Sequence, residues 1–348
     1  MTDQQFNVTG WDIGGAHLKA ARCDHAGNII DIIQVPCPLW QGIEQLELAV
    51  QTVQKQLGNH DDIAAITMTG ELVDIFTNRQ SGVKEILACI GNYIPQDKLH
   101  VFAGDNNWLT ASDAESHWQQ VASRNWLASA NFVTSSVQDG LFIDIGSTTC
   151  DIIPIKNGSV HCQSIDDHQR QLSRELLYTG AVRTPLIALA NIAPFDGQLI
   201  SLAAEVFATT GDCWSLLGKI KAESIQDTSS DGKSWQKADC ARRLARLLGT
   251  DVDDPLSQHW QQLAHWFTEQ QIHQITNACL QVLSKHADLP VDAPIIGAGI
   301  GRFIAQLCAQ RLKRPFVDFS QLITPLLAES ADHAPAVAIA LLAQQQLT

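Results

Sequence analysis

Apolar positions along the chain fall into short β-prone runs split by turn signals, interleaved with longer stretches of helical spacing. That succession occurs twice. The first round opens on Gly10-Trp11-Asp12-Ile13-Gly14-Gly15 and an alternating run to 21, then turns at Ala26-Gly27-Asn28 before another apolar run at 29–35. The second opens at 141–155 with Asp144-Ile145-Gly146-Ser147-Thr148-Thr149, and turns at Lys156-Asn157-Gly158 before 159–163. Each round reads as a β-hairpin. After the first, Ile43, Leu46, Ala49, Val50, Val53 and Leu57 share one face of a helix predicted over 42–57. A strand at 63–68, a helix at 82–93, a strand at 99–103 and a helix at 126–133 follow. After the second hairpin the same sequel is delayed: helix 271–286, strand 294–296 running into Gly297-Ala298-Gly299-Ile300-Gly301, helix 302–312, strand 316–318 and a closing helix at 334–346. The pattern predicts an α/β architecture of two lobes. One spans 1–139 and is closed by the C-terminal 330–348; the other spans 140–329 and carries an insertion at 166–266.

Composition narrows the function classes. Over 348 residues, 45% apolar and 17% charged describe an ordinary globular chain with room for two cores. A formal net charge of −14 excludes a broad phosphate-backbone surface, so no nucleic-acid partner is expected. Met1-Thr2-Asp3-Gln4-Gln5 is polar and acidic, and no apolar run is long enough to span a bilayer, which gives the expectation of a cytoplasmic protein without a membrane partner. Nine cysteines stand singly, with no metal-type spacing, and are expected as reduced buried thiols.

Chemistry concentrates in the two hairpins. Asp12 at a strand end suits a hydrated Mg²⁺, Gly14 and Gly15 let backbone N–H groups turn toward an anion, and Lys19 adds a positive charge. The Asp144 turn offers the same parts with hydroxyls: Gly146 for close approach, and Ser147, Thr148 and Thr149 as donors. Two such turns can clamp one polyphosphate, with Asp12 and Asp144 as metal ligands. Gly297, Gly299 and Gly301, between a strand and a helix, form a generic loop for a phosphate, ribose or base, without full dinucleotide spacing. Glu71, just past a strand end, is the first candidate for a general base, the other reading being a cap for the next helix; Asp74 and Asp105 are reserves. Trp214, Trp235, Trp260 and Trp266 lie in or beside the insertion and are candidates to line an aromatic pocket.

These residues carry a resemblance. Asp12-Ile13-Gly14-Gly15 with Lys19, Asp144 to Thr149, and the late Gly297-Ala298-Gly299 resemble the phosphate-1, phosphate-2 and adenosine motifs of the actin/Hsp70/sugar-kinase superfamily. The stretch from Asp144 to Asp151 with Glu175 to Leu186 resembles its hydantoinase A/oxoprolinase branch. Thr69-Gly70-Glu71-Leu72, Asn125 to Ala130, Ala204 to Thr209 and Arg243 to Leu247 are similar to the tetrahydromethanopterin-linked C1-transfer pathway proteins, among them archaeal ether synthases of methanofuran biosynthesis. Two places depart from that pattern: Arg174, where Gly is expected, and Gly211-Asp212-Cys213-Trp214.

The resemblance implies a two-lobed fold and a Mg²⁺-dependent transferase. It would join an aminomethylfuran-methyl diphosphate to the phenol of a glutamyl-tyramine-type acceptor and release pyrophosphate. Its catalytic residues would be Glu71, Lys19 and Asp144, with phosphates on Gly14, Gly15, Lys19, Gly146, Ser147, Thr148, Thr149 and Arg183. Two alternatives stay open: an ATP-dependent hydantoinase/oxoprolinase-like hydrolase or small-molecule kinase, and a non-catalytic nucleotide-binding scaffold.

Overall fold

The computed structural model describes residues 6–58, 61–104, 107–325 and 327–347. The chain divides into two compact units, one of Met1–Gln138, Ile155–His161 and Asp318–Thr348, the other of Asp139–Pro154 and Cys162–Val317.

In the first unit, β1 (Val8–Ile13), β2 (His17–Cys23), β3 (Ile29–Pro36), β4 (Ile63–Met68), β5 (Leu99–Phe102) and β6 (Trp108–Leu109) form a sheet in the order β3-β2-β1-β4-β5-β6. β1 is antiparallel to β2 and parallel to β4, and every residue of it is buried. Trp11, Ile13, Leu18 and Ala20 pack into a core with Val50 and Val53 of the Glu44–Leu57 helix and Val83 and Ile86 of the Arg79–Gly91 helix. At Gly10 the Ala334–Leu347 helix lies directly on the strand, where a Cβ would come within 2.6 Å of the Ala340 nitrogen. The alanines that made this helix look featureless in sequence are what let its backbone approach so closely. The Asn125–Thr134 helix packs beside it.

The second unit repeats the plan. β7 (Gly140–Ile145), β8 (Cys150–Lys156), β10 (Leu176–Leu177), β13 (Ile295–Ala298) and β14 (Phe316–Asp318) give a sheet ordered β10-β8-β7-β13-β14; β9 (Ser159–Val160) pairs with the Ile155-Lys156 end of β8 inside the Ile155–His161 stretch of the first unit, and β11 (Ile192–Phe195) and β12 (Gln198–Ser201) make a separate hairpin. The β2-β1-β4 and β8-β7-β13 triplets have the same sense, an antiparallel hairpin followed by a parallel neighbour. Each unit is thus an α/β structure built on one plan, as the repeated sequence pattern predicts.

The segment 166–266 is not a separable insertion. It supplies β10, and its Leu186, Trp214 and Leu244 share one core with Ile143, Ile152 and Ile304. Its expected end falls inside a single helix, Gln258–Lys285, which starts well before the predicted 271. The polar run Glu269-Gln270-Gln271 interrupts the apolar spacing, yet Gln271 is buried because its amide is fully engaged by neighbours described below. All nine cysteines are free, and burial pushes the Cys37 thiol up to about 12.

Gly10→Ala should force helix and strand apart and lower stability by roughly 1–3 kcal/mol. The check is urea denaturation, with a lower midpoint at unchanged slope expected. An unchanged midpoint would mean that the helix does not rest on the strand.

Candidate active site

In the first unit the site is set by register. Asp12 near the end of β1 is paired with Lys19 on β2 and with Thr67 on β4, so all three side chains stand on one face of the sheet. Asp12 is 4% exposed, and Nδ2 of Asn125, the first residue of its helix, donates to its Oδ1 at 3.3 Å. Burial raises the Asp12 pKa above the ordinary carboxylate value, with the Lys19 charge and the Asn125 hydrogen bond pulling the other way. The buried Oγ1 of Thr67 has no hydrogen-bond partner among the described residues. An orphaned hydroxyl in register with a carboxylate fits a hydrated cation, which would offer water to both. Among the described residues no group of three or more His, Cys, Asp or Glu side chains could hold a metal.

The turn beyond Asp12 is closed by Gly14 N–H donating to the His17 carbonyl at 3.0 Å. Its carbonyls are consumed inward: Gly15 O accepts from Leu39 N–H at 3.0 Å and Ala16 O from Cys37 N–H at 2.8 Å. The end of β4 docks on the same turn through Thr69 N–H to Ile13 O at 2.9 Å.

The second unit uses the same construction. Gly146 N–H donates to Thr149 O at 3.0 Å; Gly146 O accepts from Ala181, and Ser147 O from Val182 and Arg183. With these carbonyls turned inward, the half-buried Ser147, Thr148 and Thr149 remain reachable from solvent. Gly180 packs so tightly on the Ser147-Thr148 backbone that no Cβ fits. Its carbonyl accepts from Gln271 Nε2 at 2.7 Å and Thr210 Oγ1 at 2.9 Å, and Trp214 Nε1 holds Gln271 Oε1 at 2.9 Å. Buried Arg170 ties Asp151 of β8 at 2.9 Å to the Glu175 carbonyl at 3.1 Å, pinning the strand that leads into this cradle. On the other side, Gly301 N–H donates to Ile145 O at 2.9 Å, as Thr69 does to Ile13.

The glycines of the third motif answer to this packing. Gly299 has φ +80°, and a Cβ there would lie 2.6 Å from Asp144 Oδ1; one at Gly297 would meet the Phe316 ring, and one at Gly301 would meet Ile145. Their absent side chains let the loop reach Asp144, whatever else the loop touches.

Other expected residues fall differently. Glu71 does not cap the next helix, a task that Asn78 performs with Ser81. It is 1% exposed, accepts from Ser123 Oγ at 2.8 Å and lies against Gly82, where a Cβ would clash with its backbone. Its carboxylate is thus buried and bonded to a side chain of a separate segment. Asp74 is exposed, and Asp105 lies outside the described residues. The Arg183 Nε is 3.8 Å from Asp227. Trp214, Trp235 and Trp260 are core residues, leaving Trp266 as the partly buried member of the expected aromatic set.

Both departures from the family pattern are structural. Arg174 ends the Asp167–Ser173 helix in the left-handed region at φ 64°, the reason a glycine is expected there. Asp212 is buried and paired with Arg243 at 2.7 Å, one turn from the Trp235 ring that covers Gly211.

Sequence reasoning missed the tripeptide Ser123-Arg124-Asn125, whose ends hold Glu71 and Asp12. Asn125 opened one of the family segments, but nothing local in the sequence assigns it a partner 113 residues away.

A model of the family described as hydantoinase/oxoprolinase matches residues 62–346. The chain is 34% identical over 245 residues to the Methanocaldococcus jannaschii protein named (4-{4-[2-(gamma-L-glutamylamino)ethyl]phenoxymethyl}furan-2-yl)methanamine synthase, covering 70% of this chain and 72% of that one. It is 35% identical over 125 residues to the Methanococcus vannielii protein of the same name, covering 36% of this chain and 56% of that one. Among solved structures, nucleotide-free acetone carboxylase superposes with a TM-score of 0.57 at 9% identity, over 97% of this chain and 70% of that one, which is a likeness of fold.

A buried carboxylate with a raised pKa destabilises the folded state above that pKa and not below the unfolded value near 3.8. Asp12→Asn should therefore raise the melting temperature of the metal-free protein by about 2 °C near neutral pH, an advantage that fades as pH falls toward ~4. A lower melting temperature at neutral pH would show that the charge is already compensated within the protein.

Proposed function

The chain belongs to the hydantoinase/oxoprolinase family, and from that membership we propose that it is the ether-forming synthase of methanofuran-type cofactor biosynthesis. The observation that carries the reading is the 34% identity to the Methanocaldococcus jannaschii synthase over most of both chains. The two inward-bonded turns, each beside a strand-end aspartate, support it. The substrates are an aminomethylfuran-methyl diphosphate and a glutamyl-tyramine-type phenol, and the products are the aryl ether and pyrophosphate.

The bond that breaks joins the furfuryl carbon to the diphosphate oxygen, and its electron pair leaves with pyrophosphate. The ring oxygen of the furan delocalises the developing cation, so most of the enzyme's task is to stabilise the leaving group's charge. Each turn takes phosphate oxygens on its own donors: the backbone N–H of Gly15 with the Lys19 ammonium, and the hydroxyls of Ser147, Thr148 and Thr149, while the N–H groups of Gly14 and Gly146 hold the turns closed on His17 and Thr149. Arg183 would join them by leaving Asp227. Asp12 and Asp144, each in its own unit, are the residues that would hold Mg²⁺, which when bound would supply further neutralisation of the departing charge. The phenol oxygen forms the new bond to carbon, and its proton passes to the departing pyrophosphate. Glu71 acts at one remove, fixing Ser123 and through it the segment that presents Asn125 to Asp12.

The reading predicts pyrophosphate and ether in equal amounts from the two substrates and Mg²⁺ without ATP. Product that appears only with ATP, alongside ADP, would establish the hydrolase or kinase chemistry instead. Asp12→Asn and Asp144→Asn should each lower turnover by at least about 100-fold, the scale of removing one transition-state contact. Glu71→Gln keeps an acceptor for Ser123 and should retain turnover within about 10-fold, whereas a general base would lose 10²–10⁴-fold.

A further inference from the structure

Large apolar side chains exposed singly on a surface need no explanation, but three on the two loops that dock on one catalytic turn do. The first loop is the single helical turn Leu39–Gln41. Leu39 is buried and its N–H bonds the Gly15 carbonyl, while the next residue, Trp40, is 47% exposed. The second loop is Gly70–Leu72 with its continuation. Thr69 N–H bonds Ile13, Glu71 is buried, Val73 packs on Gly15, and Phe76 is buried; between these anchors Leu72 is 39% and Ile75 38% exposed. The loops touch, since a Cβ on Gly70 would lie 3.0 Å from the Leu39 methyl. Anchored and displayed residues thus alternate on both, and what the loops display next to the Asp12 turn is apolar: Trp40 on one, Leu72 and Ile75 on the other.

We infer that Trp40, with Leu72 beside it, is the platform on which the aromatic ring of the acceptor lies, making Trp40 a specificity-determining residue of the first unit. This rests on the synthase reading above. The turn itself is built of backbone donors, a carboxylate and an ammonium, which suit phosphate and give a phenol ring no face to cover. A flat ring coming to a carbon carried on that phosphate needs an apolar surface adjoining the turn, and an indole gives offset stacking in addition to burial. The segment 166–266, the expected source of such a surface, has spent Trp214, Trp235 and Trp260 on its core. Its Trp266 lines a separate pocket of about 350 Å³ with Phe195 and His259.

Isothermal titration separates these surfaces without needing turnover. Tyramine and γ-glutamyltyramine are titrated into the full-length protein with Mg²⁺ and pyrophosphate present. Trp40→Ala should weaken both by about fivefold or more, Trp40→Phe should stay within about twofold, and Trp266→Ala should bind as the parent does. Pyrophosphate affinity should be unchanged in all three. Equal acceptor binding by parent and Trp40→Ala, loss confined to Trp266→Ala, or no acceptor binding by the parent overturns the inference. Acceptor binding that depends on Trp40 in a protein that makes no ether would keep the platform and refute the synthase.

Discussion

Placing a carboxylate inside a sheet costs free energy, and the first unit is arranged around offsetting that cost at Asp12. Burial drives the carboxyl toward its neutral form, while Lys19 across the strand pair and Asn125 from a separate helix draw it back toward the charged one. The residual imbalance, with the orphaned Thr67 hydroxyl in the same row, leaves a place that a cation completes. Much of the surrounding fold serves this one group. The alanine-rich C-terminal helix can lie on β1 because residue 10 has no side chain, and the Asn125–Thr134 helix packs against it with its first residue at the carboxylate.

The second unit solves the matching problem with glycine rather than charge. Asp144 is approached by the Gly299 backbone, and the turn after it is buttressed by Gly180, whose carbonyl is fixed by Gln271 and Thr210. In both units the turn carbonyls are bonded inward, and the first glycine N–H closes the turn, on His17 in one and on Thr149 in the other. The duplication seen in the sequence as two Asp-Ile-Gly hairpins therefore extends to the hydrogen bonds, and Thr69 and Gly301 take corresponding parts on Ile13 and Ile145.

What was legible in the sequence was what is encoded locally. Hairpins announce themselves through alternation and turn residues, so β1, β2, β7 and β8 and their aspartates could be placed to within a residue or two. Contacts made by register or by tertiary packing leave no such trace. Thr67 meets Asp12 only because β4 pairs in parallel with β1, and Ser123 and Asn125 reach Glu71 and Asp12 from a distant segment. The helix was expected to start at Gln271 and starts at Gln258 instead; Gln271 lies inside it, buried on partners 57 and 91 residues away. The third glycine motif was recognisable as a loop, but its requirement for glycine comes from φ +80° and from Asp144. Arg174 shows the converse, a family glycine replaced where the left-handed conformation nevertheless persists.

The central claim is that the donors on these turns stabilise pyrophosphate as it departs from carbon, rather than promoting attack on phosphorus. Labelling the oxygen that bridges the furfuryl carbon and the diphosphate with ¹⁸O tests this directly. Cleavage at carbon predicts that all of the label leaves in pyrophosphate and that the ether oxygen carries none. Label retained on the furfuryl carbon would mean that phosphorus is the centre attacked, and would contradict the account.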